Sequence, residues 1–187
     1  MNTIVLDRYR RALSGVDEVV ARIGPDRWDS MSPCPPWTAR DVLGHLIDGQ
    51  RQVAALLTGR GPRPPHDEPG MLAGAAPAAA WQAAHRDIES VLAEANPAVQ
   101  RATPMGPRSV ADILSLALIE PLVHAWDLAQ ATGDTVHLDP ESVVATLDGV
   151  RTLGGQLAAT GMYAPALVLP SDADAQDQLL AATGRKP

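Results

Sequence analysis

The stretch LSLALIEPLVHAW, residues 114–126, decides how this chain is read. Leu, Ala, Ile and Val fill most of it, as in the interior of a buried helix, yet Glu120 and His124 stand in the middle of the apolar run with Pro121 between them. An α-helix turns by about 100° per residue, so positions four apart project within about 40° of each other. Glu120 and His124 therefore lie side by side, and Asp127 shares their face. A carboxylate buried without a partner costs several kcal/mol or takes up a proton, so something must compensate for it here. Pro121 removes one backbone hydrogen bond and pushes on the carbonyl of Ala117, so a bend is expected at Glu120.

Outward from this stretch the chain reads as helices. Residues 4–23 place apolar groups at helical period, and GPDRWDSMSPCPPW then interrupts with four prolines. Thr38, followed three places on by Asp41, is the cap of a second helix running to about Thr58. Residues 59–74, GRGPRPPHDEPGMLAG, read as a surface loop, and residues 77–95 as a third long helix with Trp81, Ala84, Ile88, Val91 and Leu92 on one stripe. VQRATPMGPRSV is expected to form a small hairpin or irregular turn. Ser109 repeats the cap logic with Asp112 and opens a long fourth helix that Gly133 closes. A fifth helix is expected over 140–160, and the tail holds a short extended piece and a last helix. The predicted fold is all-α: a four-helix bundle with additional short C-terminal helices, one domain over residues 1–187.

Composition narrows the function. The net charge is −7 and the pI about 5.1, which repels phosphate backbones and anionic membranes, so nucleic acid is not an expected partner. One cysteine, Cys34, excludes an intramolecular disulfide, and MNTIVLDRYRR has no apolar signal core, so a cytoplasmic protein is expected. Two ionisable groups break the longest apolar run well short of the ~20 residues a membrane span needs.

Two compensations for Glu120 are open: a hydrogen-bonded Glu–His pair, or a divalent metal held by both side chains. A metal needs a third ligand, and His45 offers one from VLGHLID, beside Gly44, which permits close approach of another helix. Two histidines and a carboxylate leave coordination positions open, as in catalytic zinc and non-haem iron sites. Asp41, Asp48 and Asp127 stand at i−4, i+3 and i+3 from the histidines and could orient them, although Asp41 also reads as a cap and Asp48 as solvated. Trp37 and Trp126 are candidate pocket walls. Cys34, flanked by prolines, reads as a small buried residue rather than a nucleophile. His66, His85 and His137 read as surface residues without partners.

SPCPPWTARDVLGHL, then IEPLVHAWDLAQATG, then LPSDADAQDQLLAATGRKP together resemble actinobacterial metal-binding proteins related to the mycothiol-dependent maleylpyruvate isomerase N-terminal domain, within the DinB-like superfamily. The resemblance implies a four-helix bundle in which His45, Glu120 and His124 ligate a divalent metal, usually zinc, beneath an open pocket where a thiol cofactor such as mycothiol is held. Pro36 stands where the usual phrase PCPGWT has Gly, which removes any positive-φ conformation there. The second domain of the full isomerase is not legible in the chain.

The reading that follows is a metal-dependent thiol S-transferase or isomerase acting on a small electrophile, with Asp48 and Asp127 behind the ligands. Two alternatives differ in class. A metal-dependent hydrolase would use Asp127 as general base, and a non-catalytic bundle would bind a small molecule. Whether the chain forms a homodimer is open.

Overall fold

The computed structural model describes residues 3–154, 156–159, 161–170 and 172–187. Four long segments form the bundle: α1 (Ile4–Arg22), α2 (Ala39–Leu57), α4 (Pro77–Ala93) and the consecutive pair α5 (Val110–Ala117) and α6 (Ile119–Thr132). A one-turn helix, α3 (Gly70–Ala73), precedes α4, and α7 (Pro140–Leu153), α8 (Gln156–Ala159) and α9 (Ala175–Ala182) follow. Around the bundle α1 packs on α4, α4 on α2, α2 on α6 and α6 back on α1, while α7 lies on α9. Leu13, Val16, Val19, Leu43, Leu46, Ile47 and Leu128 meet in the centre. Among the described residues no helix is long and apolar enough to cross a membrane.

The helix starts are where side-chain chemistry puts them. Thr38 accepts a hydrogen bond from the backbone N–H of Asp41, whose carboxylate accepts from the Thr38 N–H in return. Ser109 and Asp112 form the same reciprocal box at α5. These boxes satisfy donors that a helix start leaves unpaired. The expected hairpin is present: β1 (Gln100–Arg101) pairs antiparallel with β2 (Arg108–Ser109), which runs straight into α5.

Three expectations are corrected. The fourth helix is interrupted at Leu118, two residues before the expected bend at Glu120. The Pro121 ring conflicts with the carbonyl four residues back, so the ladder opens at Ala117 and Leu118, not beside the proline itself. The fifth helix stops at Leu153, because Gly154 takes φ +54° and ends it. The segment 59–74 is not loop throughout, since it folds into α3, whose start lies against α2.

That last contact depends on Gly44. A Cβ at this position would overlap the Pro69 carbonyl and crowd the Gly70 nitrogen, so the loop reaches the helix only because no side chain intervenes. His85 is likewise not a free surface residue. Its Nδ1 lies 2.8 Å from an Asp17 carboxylate oxygen, its Nε2 is 3.8 Å from Glu89, and its side chain is 14% exposed. Asp17 also accepts a 2.5 Å hydrogen bond from the indole of buried Trp81, which ties α4 to α1.

Gly44→Ala is expected to destabilise the protein by about 1–3 kcal/mol, the usual cost of forcing atoms into a packed contact. Urea denaturation checks it, and an unchanged midpoint would contradict the close approach. The hydrogen bond to Asp17 raises the His85 pKa, burial opposes this, and the Asp17 and Glu89 charges add to the rise. A folded-state pKa above the unfolded value means stability that is full below about pH 6.5 and is lost as pH climbs through the folded pKa. Thermal denaturation of wild type and His85→Gln should therefore show a gap in Tm that is widest near pH 6 and narrows toward pH 8. A gap constant with pH would refute the pairing.

Candidate metal centre

His45 stands near the middle of α2, and Glu120 and His124 lie four residues apart on α6, so the packing of α2 on α6 brings three side chains to one point. The Nε2 of His45 is 2.9 Å from Glu120 Oε2, and the Nε2 of His124 is 3.3 Å from the same oxygen. All three candidate ligand atoms lie within 4.8 Å of one another. The two imidazoles stand nearly perpendicular, with centroids 4.9 Å apart. A tetrahedral zinc with bonds of 2.0–2.1 Å separates its ligand atoms by about 3.3 Å, so this trio needs only small adjustments to close on a cation.

Behind the trio runs a buried chain of charge. His124 Nδ1 donates to Asp127 Oδ2 at 2.8 Å, and Arg185 reaches the same carboxylate with Nη2 at 2.8 Å and Nε at 3.3 Å. Asp127 is fully buried and Arg185 is 9% exposed. A carboxylate on Nδ1 fixes the ring and leaves Nε2 facing the other ligands, the usual support of a metal-binding histidine. On the far side the Tyr163 hydroxyl donates a short hydrogen bond to Glu120 Oε1, which leaves Oε2 for the two imidazoles.

The electrostatics express a demand for positive charge. Burial raises the pKa of Glu120, but hydrogen bonds and charge from His124 and His45 outweigh it and hold the carboxyl well below its ordinary range. Burial lowers that of His124, but the bonds to Asp127, Cys34 and Glu120 overcome it and raise it well above the usual histidine value. Asp127 is lowered in the same manner, against burial, by His124 and Arg185. With carboxylates at both ring nitrogens, His124 is stable either as imidazolium or with a cation in place of the Nε2 proton. The donor set therefore fits a divalent metal.

Other expected residues fall elsewhere. Asp48 accepts from the backbone N–H of His66 at 2.9 Å and so anchors the 59–69 loop instead of His45. Asp41 is spent on its capping box. Trp37 does stand over the centre, 4.9 Å from the His45 ring and 6.4 Å from that of His124. Trp126 is instead a core residue, 7% exposed, because two positions along the helix turn it about 200° away from His124. Cys34 is half-buried and belongs to the site: its Sγ is 3.1 Å from Asp127 Oδ2 and 2.9 Å from Arg185 Nη2. The Pro35–Pro36 peptide beside it is cis, and Ser32 N–H and hydroxyl both donate to the Trp37 carbonyl, closing the loop.

Cys34, Tyr163 and Arg185 are the members that sequence reasoning missed as a group. Arg185 follows α9, where Gly184 takes φ +80° and comes so close to Ala164 that a Cβ would clash, which turns the tail inward. No periodicity announces such a residue. The recess that His45 and Glu120 line with Tyr9, Gln50 and Ala117 holds about 30 Å³, the space of one water. Anything larger meets the centre at its outer edge, where the side chains of His45 and Glu120 are 36% and 31% exposed.

Residues 9–129 match the mycothiol maleylpyruvate isomerase N-terminal domain family. Two uncharacterised proteins of Mycobacterium tuberculosis, one from each of two strains, are 32% identical over 182 residues, covering 95% of this chain and 95% of each of them. The crystal structure of the mycothiol-dependent maleylpyruvate isomerase superposes with a TM-score of 0.66 at 15% identity, over 86% of this chain and 72% of that one. A histidine-to-alanine mutant of that isomerase gives 0.61 at 13% identity, with the same coverage. At these identities the superpositions establish a shared fold. Tyr163 and Arg185 lie outside the matched family region.

Arg185→Met is expected to destabilise the protein by roughly 3–5 kcal/mol, because it removes a cationic partner from a fully buried carboxylate. Adding Asp127→Asn removes the stranded charge and should restore part of the loss. Chemical denaturation of the single and double variants checks this. Equal stability of Arg185→Met and wild type would show that the tail does not hold Asp127.

Proposed function

The chain belongs to the mycothiol maleylpyruvate isomerase N-terminal domain family, and from that premise we propose that it is a metal-dependent enzyme that uses a low-molecular-weight thiol of the mycothiol type on a small electrophile, as an S-transferase or isomerase. The observation that carries this reading is the convergence of His45 Nε2, Glu120 Oε2 and His124 Nε2 on one point, with a buried carboxylate fixing the His124 ring. Those three residues would hold the cation, zinc being the metal this donor set suits. A divalent cation held by those residues would supply Lewis acidity, favouring the thiolate form of a thiol at the site.

The remaining residues prepare that position. Asp127 orients His124, and Arg185 keeps the fully buried Asp127 anionic. Tyr163 holds one oxygen of Glu120 so that the other faces the histidines. Trp37 supplies an apolar wall at the exposed edge, against which the carbon skeleton of a thiol or electrophile can lie. Arg185 also donates to Cys34 Sγ, so the cysteine is committed to the support network.

The hydrolase reading is the weaker one on geometry. Its only nearby base, Asp127, is fully buried, and both its oxygens are engaged by His124, Cys34 and Arg185, so it has no line to a water above the metal. The reading as a non-catalytic binder differs in its prediction for turnover.

Protein purified without chelator or nickel resin should carry close to one equivalent of zinc or another divalent metal by mass spectrometry of the elements. His45→Ala and His124→Ala should each lose it while retaining the helical circular dichroism of wild type. Reaction of an electrophile such as a maleyl-type unsaturated acid should require both metal and thiol. Folded wild-type protein that cannot be loaded with metal, or turnover indifferent to thiol, would overturn the assignment.

A further inference from the structure

A second cavity lies between α2 and α4 and contains none of His45, Glu120 and His124, although Gln50 lines both it and the recess beside His45. It encloses about 550 Å³, within the range of small-molecule sites. Its floor is apolar, formed by Ala54, Ala55, Ala84, Ile88 and Val91. Its rim carries Arg51 from α2 and Arg60 and Arg63 from the segment that follows, opposed by one acidic residue, Asp87.

We propose that this cavity binds a small organic anion, a carboxylate carried on an apolar body, independently of the metal centre. The proposal goes beyond the thiol-transferase reading and does not rest on it.

Charge complementarity is the first support. The chain as a whole is acidic at −7, yet three guanidiniums gather on one rim. Six arginines elsewhere are matched to carboxylates, Arg10 to Glu89, Arg11 to Asp139 and Glu141, Arg22 to Asp134, Arg40 to Asp29, Arg151 to Asp148 and Arg185 to Asp127, whereas Arg8, Arg27, Arg86, Arg101 and Arg108 have no ion pair among the described residues. Arg51, Arg60 and Arg63 have no such ion pair among the described residues. A planar guanidinium fork is the group best shaped for a carboxylate, and three of them left unmatched around a depression make a locally cationic funnel in an otherwise repulsive field.

Gln50 is the second. It lines the cavity although it is only 2% exposed, and its Oε1 accepts from the Tyr9 hydroxyl at 2.9 Å. No hydrogen bond from its amide nitrogen is found among the described residues, so this residue, which borders both the cavity and the recess beside His45, has a donor unspent. Donors on the rim and wall and an apolar floor together select a molecule with an anionic head and a hydrocarbon body, rather than a bare inorganic anion or an uncharged hydrocarbon.

Isothermal titration of the full chain with sodium decanoate, kept below its micellar concentration, tests this. Saturable binding is expected, with acetate and decanol each more than tenfold weaker, since each supplies only half of the recognition. Arg51→Ala, Arg60→Ala and Arg63→Ala should each weaken decanoate by about two- to fivefold, the range of exposed ion pairs, and the triple variant by more than tenfold. The substituted arginines are exposed, so the variants should fold as wild type does. Stripping metal with EDTA should leave decanoate binding unchanged. The proposal is overturned if wild type shows no saturable binding, if the triple variant binds like wild type, if acetate or decanol matches decanoate, or if EDTA abolishes binding, which would put the carboxylate on the metal centre instead.

Discussion

A carboxylate in the apolar middle of a helix has to be neutralised where it stands, and in this protein that requirement couples the bundle to its chemistry. The Glu120 side chain is only 31% exposed on α6, and its charge is met by His45 across the interface with α2, by His124 one turn on, and by a hydroxyl from the C-terminal segment. Each partner comes from a different part of the chain. The packing of α2 on α6 and the docking of the tail thus stand or fall with the same few hydrogen bonds. A buried charge is worth keeping only when its partners are in place, because a partly satisfied polar network costs more than an apolar core.

The same logic extends one layer back. His124 faces Glu120 with one nitrogen and Asp127 with the other, which would place two negative groups about a single ring were Arg185 not beyond them. Arg185 therefore balances the inner carboxylate, while the outer one is met by the two imidazoles and the Tyr163 hydroxyl. This partition explains why Asp127, though chemically a candidate base, is a positioning group: it is itself fully buried and both its oxygens are engaged by His124, Cys34 and Arg185. It also explains why Cys34, which shares both Asp127 and Arg185, sits in the support network.

What the sequence disclosed and what it hid follow from the range of the interactions. Thr38 with Asp41 and Ser109 with Asp112 are contacts over three residues, so their boxes and the helix starts they set were readable directly. Glu120 and His124 were readable for the same reason, and His45 because a polar group inside an apolar helical stripe needs a partner. The break at Leu118 was displaced from the expected bend at Glu120, since the proline acts on the carbonyl four residues before it and the ladder yields there. Trp126 followed a sequence neighbour's fate on paper but a helical face in space. Tyr163 and Arg185 left no local trace, because their roles come from irregular backbone brought back over long chain separations and from the close approach allowed at Gly184.

Access to the centre is set by an asymmetry within the trio itself. The His124 side chain is 6% exposed, whereas those of His45 and Glu120 are 36% and 31% exposed, so the inner member is enclosed by the protein and the outer two border solvent. The recess on the protein side has room for about one water, and the Trp37 ring lies against His45 at the outer edge. The trio is therefore open to solvent at His45 and Glu120, beside the Trp37 ring, with the His124–Asp127–Arg185 chain behind it. Burial is thus greatest at the ring that Asp127 orients and least at His45 and Glu120, so the most enclosed member of the trio is also the one with the most hydrogen-bonded support behind it.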